Sequence, residues 1–308
     1  MLPRALNLLR QVDLALALER GDFIVESLEN TVLHGEIDFN IRLVKRISGR
    51  QHALVRAYRE LARTPDPAGV RLLLDGAHLV REARDAALVF ESVVVASSRL
   101  HSNNEERALA ESLEQTRVDV AVAGDLTFAA ISPVRTPSGI VAIAHRHPTT
   151  VDAILEQARL FALVVVDVQD PGNLGALMRI AEAGSVTGII VAGESAHPFS
   201  WKAVRGSMGS VLRLPVARSV SIDAVMEELR KTNTKVIAAV PRDGWDPDAV
   251  DWSGRIALML GGEGPGLSAQ VAAAAHERVT IPMQVPVESL NVAASGAIII
   301  YAARRARR

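Results

Sequence analysis

Phe161-Ala162-Leu163-Val164-Val165-Val166-Asp167-Val168-Gln169-Asp170-Pro171-Gly172-Asn173-Leu174-Gly175-Ala176-Leu177-Met178-Arg179 decides the fold. Its opening, 161–168, is a nearly continuous apolar run, the pattern of a strand covered on both faces rather than on one. The Pro171-Gly172 turn breaks that run. A helix is then expected over 174–183, with Asp170 or Asn173 as its N-cap. The same alternation recurs downstream. Strands are expected at 188–192, 211–216, 235–240, 256–260 and 278–281, and helices at 200–207, 221–232, 267–275 and 290–306. Buried strands alternating with helices define an α/β unit with a parallel sheet.

A second α/β unit precedes it. Strand signals fall at 70–74, 92–96, 118–123 and 139–144, and helix signals at 51–62, 77–87 and 105–115. His145-Arg146-His147-Pro148-Thr149-Thr150 has the composition of a linker. Residues 1–40 carry seven acids against three arginines, whereas 42–59 carry Arg42, Lys45, Arg46, Arg50, Arg56 and Arg59 with no acid. That shift places a boundary near residue 41. The expected organisation is a helical extension over 1–40, a smaller α/β domain over 41–145, a linker over 146–157 and the parallel-sheet domain over 158–308.

Composition narrows the chemistry. The 308 residues contain no cysteine, which removes disulfides, thiolate catalysis and cysteine-ligated metals. The eight histidines fall in no metal-ligand spacing, so no metal site is expected. A formal net charge of −1 argues against a broad basic face for indiscriminate nucleic-acid binding, but permits a local patch. Aromatic residues are 4% of the chain, too few for many stacked bases but sufficient for one or two. Asp13 interrupts the leucines of residues 1–20, which read as an amphipathic helix rather than a secretory signal. No apolar run reaches the length of a membrane span. A soluble cytoplasmic protein is the expectation.

Two further segments follow the ends of expected strands. Gly261-Gly262-Glu263-Gly264-Pro265-Gly266-Leu267 places four glycines in six residues, permitting unusual backbone angles and close approach of a ligand to the main chain. It departs from the dinucleotide fingerprint, and Glu263 would repel phosphates. A cationic sulfonium suits that charge better, and a plain turn is the alternative. Ile281-Pro282-Met283, followed by Ser289-Leu290-Asn291-Val292-Ala293-Ala294-Ser295, offers Ser289 or Asn291 as cap of the last helix. The small residues after it permit close packing.

In this order, D-x-x-D-P-G-N-x-G-x-x-x-R, G-x-E-G-x-G-L and I-P-M-x-x-x-x-x-S-L-N-V-A resemble the three motifs of the SpoU/TrmH (SPOUT) family of RNA 2′-O-ribose methyltransferases, over residues 158–306. Pro198–Gly209 is similar to the family's stretch between motifs. Residues 46–145, through Ile47-Ser48-Gly49-Arg50-Gln51 and Asp75-Gly76-Ala77, resemble its L30e-like RNA-binding domain. The resemblance implies a trefoil-knotted parallel-sheet domain and S-adenosylmethionine as cofactor. It implies cofactor contacts from Gly261, Gly262, Ile281, Met283 and Leu290. It also implies a homodimer built on the C-terminal helix.

Arg179 is the implied catalytic residue, with Asn173, Glu263, Ser289 and Asn291 positioning it and the target nucleotide. A guanidinium is a very weak acid and rarely gives up its proton. Arg179 is therefore expected to orient the hydroxyl and a phosphate, proton loss being assisted by that phosphate or by water. Arg46, Arg50 and Arg205 are candidate RNA contacts, each with a solvated or structural alternative. Arg304, Arg305, Arg307 and Arg308 read as a frayed tail, with weak phosphate contact as the alternative. The expected substrate is ribosomal RNA. A tRNA 2′-O-methyltransferase, a non-catalytic RNA-binding protein of the same fold and a nucleotide-binding Rossmann enzyme are the alternatives.

Overall fold

A computed structural model describes residues 23–33, 36–47, 49–102, 104–264 and 266–308. They form two compact units. One holds the described residues up to Arg63, with Leu73–Arg84 and Leu88–Ala144; the other holds Thr64–Leu72, Asp85–Ala87 and His145–Arg308.

The first unit is a six-stranded sheet with helices. Its strands are β1 (Phe23–Leu33), β2 (Glu36–Ile47), β3 (Arg71–Asp75), β4 (Val89–Ala96), β5 (Val120–Ala123) and β6 (Ile140–His145). They lie in the order β1-β2-β5-β4-β6-β3. Its helices are α1 (Ala53–Arg63), α2 (Ala77–Asp85), α3 (Ser97–Ser102), α4 (Asn104–Gln115) and α5 (Asp125–Ile131). The buried Tyr58 of α1 donates its hydroxyl to the Ser92 carbonyl at 3.0 Å, tying that helix to the sheet.

The expected helical extension is corrected over its second half. Phe23–Leu33 and Glu36–Ile47 pair as antiparallel strands, with Phe23 opposite Lys45 and Leu33 opposite Glu36. The physical signal is period-two alternation: Ile37, Phe39, Ile41 and Leu43 interleave with polar residues, a strand period that no helix shares. Residues 1–22 of that expectation lie outside the described residues. The composition shift near residue 41 falls inside β2 and marks no structural boundary.

The second unit is built on β7 (Phe161–Val166), β8 (Gly188–Ala192), β9 (Val216–Ser219), β10 (Lys235–Ala239), β11 (Ile256–Gly261) and β12 (Glu277–Val279). The order is β12-β10-β11-β7-β8-β9, and every neighbouring pair is parallel. Its helices are α6 (Val151–Leu155), α7 (Pro171–Ala183), α8 (Trp201–Gly206), α9 (Ser210–Arg213), α10 (Ile222–Lys231), α11 (Ala269–Ala273) and α12 (Val292–Ala306). All six side chains of β7 are buried, as its unbroken apolar run requires. The sheet grows outward from β7 through β8 to β9, then returns to place β11 against the other edge of β7. That reversal is a topological switch point, where open α/β sheets bind ligands beyond the carboxyl ends of their strands.

Two expectations are corrected here. Residues 211–216 form the short helix α9 and the start of β9 rather than one strand, because so short an apolar run does not distinguish helix from strand. The expected linker 146–157 is a packed segment. Thr150 caps α6, whose Ile154 and Leu155 are buried in the core of this unit. The Arg146 guanidinium lies 4.2 Å from the centre of the Phe199 ring and donates to the Gly69 carbonyl at 3.2 Å. Burial pushes its pKa down to about 10, leaving it cationic at neutral pH.

Candidate cofactor and substrate site

The register of β11 on β7 pairs Ile256 with Phe161 and Gly261 with Val166. The two strands therefore end level, and the glycine loop emerges beside Asp167. Asp167 has φ 56° and turns the chain out of the sheet, while its Oδ1 accepts the Glu194 amide at 2.8 Å. A Cβ on Gly262 would overlap the Asp167 carbonyl, and one on Gly261 would overlap the backbone at Gly266–Leu267. Main chain meets main chain here, and only glycine permits it.

The Asp170 side chain caps α7 by accepting the Asn173 amide at 2.7 Å. Pro171 occupies the first turn, where its missing N–H costs nothing. One turn of helix thus presents Asn173 to the glycine loop. Asn291 caps α12, its Oδ1 accepting the amides of Ala293 at 2.9 Å and Ala294 at 3.3 Å. Its Nδ2 donates to Asn173 Oδ1 at 3.1 Å, and Asn173 Nδ2 donates to Glu263. The three motifs therefore meet in one directional chain of hydrogen bonds, from the start of α12 through both asparagines to the carboxylate. Each amide is fixed in orientation, because a carboxylate only accepts.

A cavity of about 350 Å³ opens at this rim, within the size range of small-ligand sites. Gly261, Gly262 and Glu263 line it from one loop, and Ile281, Met283, Ser289, Leu290 and Asn291 from another. Sequence reasoning missed Ala239, Val240 and Pro241, which line it from the end of β10. The only signal in the sequence was a buried strand ending in Val-Pro. That β10 stands next to β11 could not be read without the strand order.

Arg179 is brought elsewhere. It is exposed on α7, does not line the cavity, and among the described residues makes no hydrogen bond or ion pair. Six residues separate it from Asn173, so helical geometry rotates it away from the asparagine's face. Arg205 is exposed at the end of α8 and also lies outside the cavity lining. Arg46 and Arg50 are exposed in the first unit. The frayed tail is corrected. Helix α12 runs to Ala306, Arg305 pairs with Asp248 at 2.6 Å, and Arg307 donates to the Gly254 carbonyl at 3.0 Å.

A parallel sheet with a glycine-walled cavity at its switch point and a polar chain at the mouth defines a cofactor-binding α/β protein. The model of the SpoU rRNA methylase family matches residues 160–301. The chain is 30% identical to the 23S rRNA (guanosine(2553)-2′-O)-methyltransferase RlmP of Bacillus subtilis, over 74% of this chain and 86% of that protein. It is 32% identical to an uncharacterized tRNA/rRNA methyltransferase of Synechocystis, over 84% of this chain and 93% of that one. An S-adenosylmethionine-bound rRNA methyltransferase from Sinorhizobium meliloti superposes with a TM-score of 0.72 at 26% identity, covering 85% of this chain and 98% of that one. The chain belongs to the SpoU rRNA methylase family.

Proposed function

We propose that this protein transfers a methyl group from S-adenosylmethionine to a ribose 2′-hydroxyl of ribosomal RNA. The observation that carries the reading is the Asn291–Asn173–Glu263 chain at the mouth of the glycine-walled cavity. It joins all three family motifs at one place and ends on an anionic group.

The cavity fits the cofactor in chemistry as well as in size. Leu260, Ile281, Met283 and Leu290 offer an apolar lining for a base and ribose. The bare main chain of Gly261 and Gly262 permits close approach. Glu263 is a carboxylate matched to a positive sulfonium. When bound, the cofactor supplies an electrophilic methyl group.

The protein's own task is to hold a weak nucleophile in line and relieve it of a proton. Asn173 and Asn291 are locked by their mutual bond and hold Glu263 by the next one. Arg179 has no internal partner among the described residues, so its fork of donors is available to an RNA phosphate and to the target hydroxyl. A guanidinium rarely gives up a proton, so the hydroxyl's proton is assigned to that phosphate or to water. Ser289 and Leu290 border the same mouth.

Arg46 and Arg50 of the first unit are proposed as RNA contacts, and that unit as an L30e-like substrate-binding domain. Arg205 is proposed to touch a phosphate near the reaction centre. A homodimer through α12 and a trefoil knot are proposed from family membership. The outward face of α12 supports the dimer: Ile298 and Tyr301 are 43% and 41% exposed, three residues apart on one helix face. A cytoplasmic location is proposed with the RNA substrate; among the described residues no helix is long and apolar enough to cross a membrane.

Mapping 2′-O-methyl sites in total RNA from cells with and without this protein tests the reading. Loss of one ribosomal mark is the expected result. An unchanged ribosomal map with one lost tRNA mark would transfer the proposal to tRNA, and no lost mark would overturn it.

A further inference from the structure

A second hollow lies on the outer edge of the same sheet, separate in lining from the cofactor cavity. It has a volume of about 670 Å³ and includes Asp243, Trp245, His276 and Arg278 in its walls. Trp245 follows the end of β10, and its backbone pairs in parallel with Val279 of β12. Its amide donates to the Arg278 carbonyl at 2.8 Å, and its carbonyl accepts the Thr280 amide at 2.9 Å. The preceding Gly244 amide is held by Thr280 Oγ1 at 2.9 Å. The backbone is thus rigidly seated, yet the indole is 64% exposed. Trp252, by contrast, is buried with its ring nitrogen donating to the Pro247 carbonyl at 2.8 Å. An indole carried on a seated backbone and facing solvent contributes little to a core, but it is a ready surface for a planar ring.

The charges around it are sorted. Arg278 lines the hollow, and Arg242 stands three residues before Trp245 in the chain; both are exposed and make no side-chain hydrogen bond or ion pair among the described residues. Glu277 is occupied by Lys235 at 3.1 Å. His276 Nδ1 accepts the Val236 amide at 3.0 Å, which places the proton of the neutral ring on Nε2. Asp243 repels phosphate but accepts from a ribose hydroxyl or an exocyclic amine. The neighbours of Trp245 also reach the cofactor cavity, since Val279 and Ile281 line it from the same strand edge.

We propose that Trp245 is the stacking platform of a second RNA subsite, holding one unpaired nucleotide of the substrate beside the cofactor cavity with Arg242 and Arg278 on its phosphates. The inference rests on the RNA methyltransferase reading and adds to it how the substrate is gripped in this unit. It also gives the sparse aromatic content of the chain one defined use. Single-stranded, splayed nucleotides are the form in which proteins grip RNA by stacking.

The test uses the full chain and ribosomal RNA extracted from cells lacking the protein. RNA affinity is read by filter retention at several salt concentrations, cofactor affinity by calorimetry, and methyl transfer by label incorporation. Trp245→Ala is expected to weaken RNA retention about tenfold or more, and Trp245→Phe to restore most of it. The doubly substituted Arg242→Gln, Arg278→Gln chain is expected to flatten the salt dependence by about one phosphate contact or more. Cofactor affinity is expected to stay unchanged in all three. RNA retention by Trp245→Ala within twofold of the unsubstituted chain overturns the subsite, as does loss of cofactor affinity in that variant, which would mark the indole as structural. Absence of methyl transfer by the unsubstituted chain would instead overturn the proposed function, even with the RNA-binding differences intact.

Discussion

Arg179 and Asn173 share one helix but face different tasks. Asn173 is tied down by Glu263 and Asn291, whereas Arg179 projects to solvent. That exposed guanidinium is the group proposed above to meet RNA. Arg179→Lys keeps the charge and removes the planar fork. Its kcat/KM for RNA is expected to fall about a hundredfold with cofactor affinity unchanged; full turnover would remove the assigned role. A second residue sets a pH response. Burial, helped by the nearby Arg218, lowers the pKa of His197, with Asp66 opposing. Its Nε2 is buried without a hydrogen-bond partner. The folded protein therefore prefers the neutral ring, while the unfolded chain takes up a proton near pH 6.5 (about the ordinary value). Stability is full above that pH and declines below it, until the folded ring also charges. His197→Asn keeps an acceptor for the Phe199 amide and removes the titration. Its melting temperature is expected to fall less than that of the unsubstituted chain between about pH 7 and 5. Equal slopes would contradict this. The motif residues Asn173, Glu263 and Asn291 were legible in the sequence. Their order of bonding was not, because residues 90 and 118 positions apart meet only through strand order.

At the level of elements, α7 packs against both α8 and α12, and glycines set the spacing. A Cβ on Gly175 would come within 2.7 Å of the Gly206 Cα and 2.6 Å of the Ala203 carbonyl. A Cβ on Gly296 of α12 would meet the Leu177 side chain at 2.6 Å. Gly175→Val is expected to lower stability by about 1–3 kcal/mol and to weaken cofactor affinity, because pushing α7 outward draws Asn173 from Glu263. Denaturant titration and calorimetry check the pair. Lost stability with intact cofactor affinity would show that α7 does not position the site. Most elements of the second unit were legible from buried apolar runs and caps. The strand pair Phe23–Leu33 and Glu36–Ile47 is hard to read from sequence because the acidic composition of residues 1–40 masks the two-residue period in 36–44. Helix α6 was hidden in a Pro-Thr-Thr context whose capping threonine resembles a turn.

For the whole molecule, the parallel sheet places its working rim at the switch between β7 and β11, and the chain ends on α12. That helix buries Val292, Gly296, Ile299 and Ile300 inward while leaving Ile298 and Tyr301 outward. The proposed homodimer covers this outward face. Ile298→Glu with Tyr301→Arg is expected to convert a dimer to a monomer in sedimentation equilibrium with the melting temperature little changed, since neither side chain belongs to the core. A monomeric unsubstituted chain, or an undisturbed dimer in the variant, would contradict the assignment.

The most direct test is chemical: incubate the purified chain with S-adenosylmethionine carrying a deuterated methyl group and ribosomal RNA lacking the protein's own mark, digest to nucleosides and weigh them. The account requires deuterium on the ribose of a 2′-O-methylnucleoside, and much less of it with Asn173→Ala or Arg179→Ala. Deuterium on a base, or in no nucleoside at all, would contradict it.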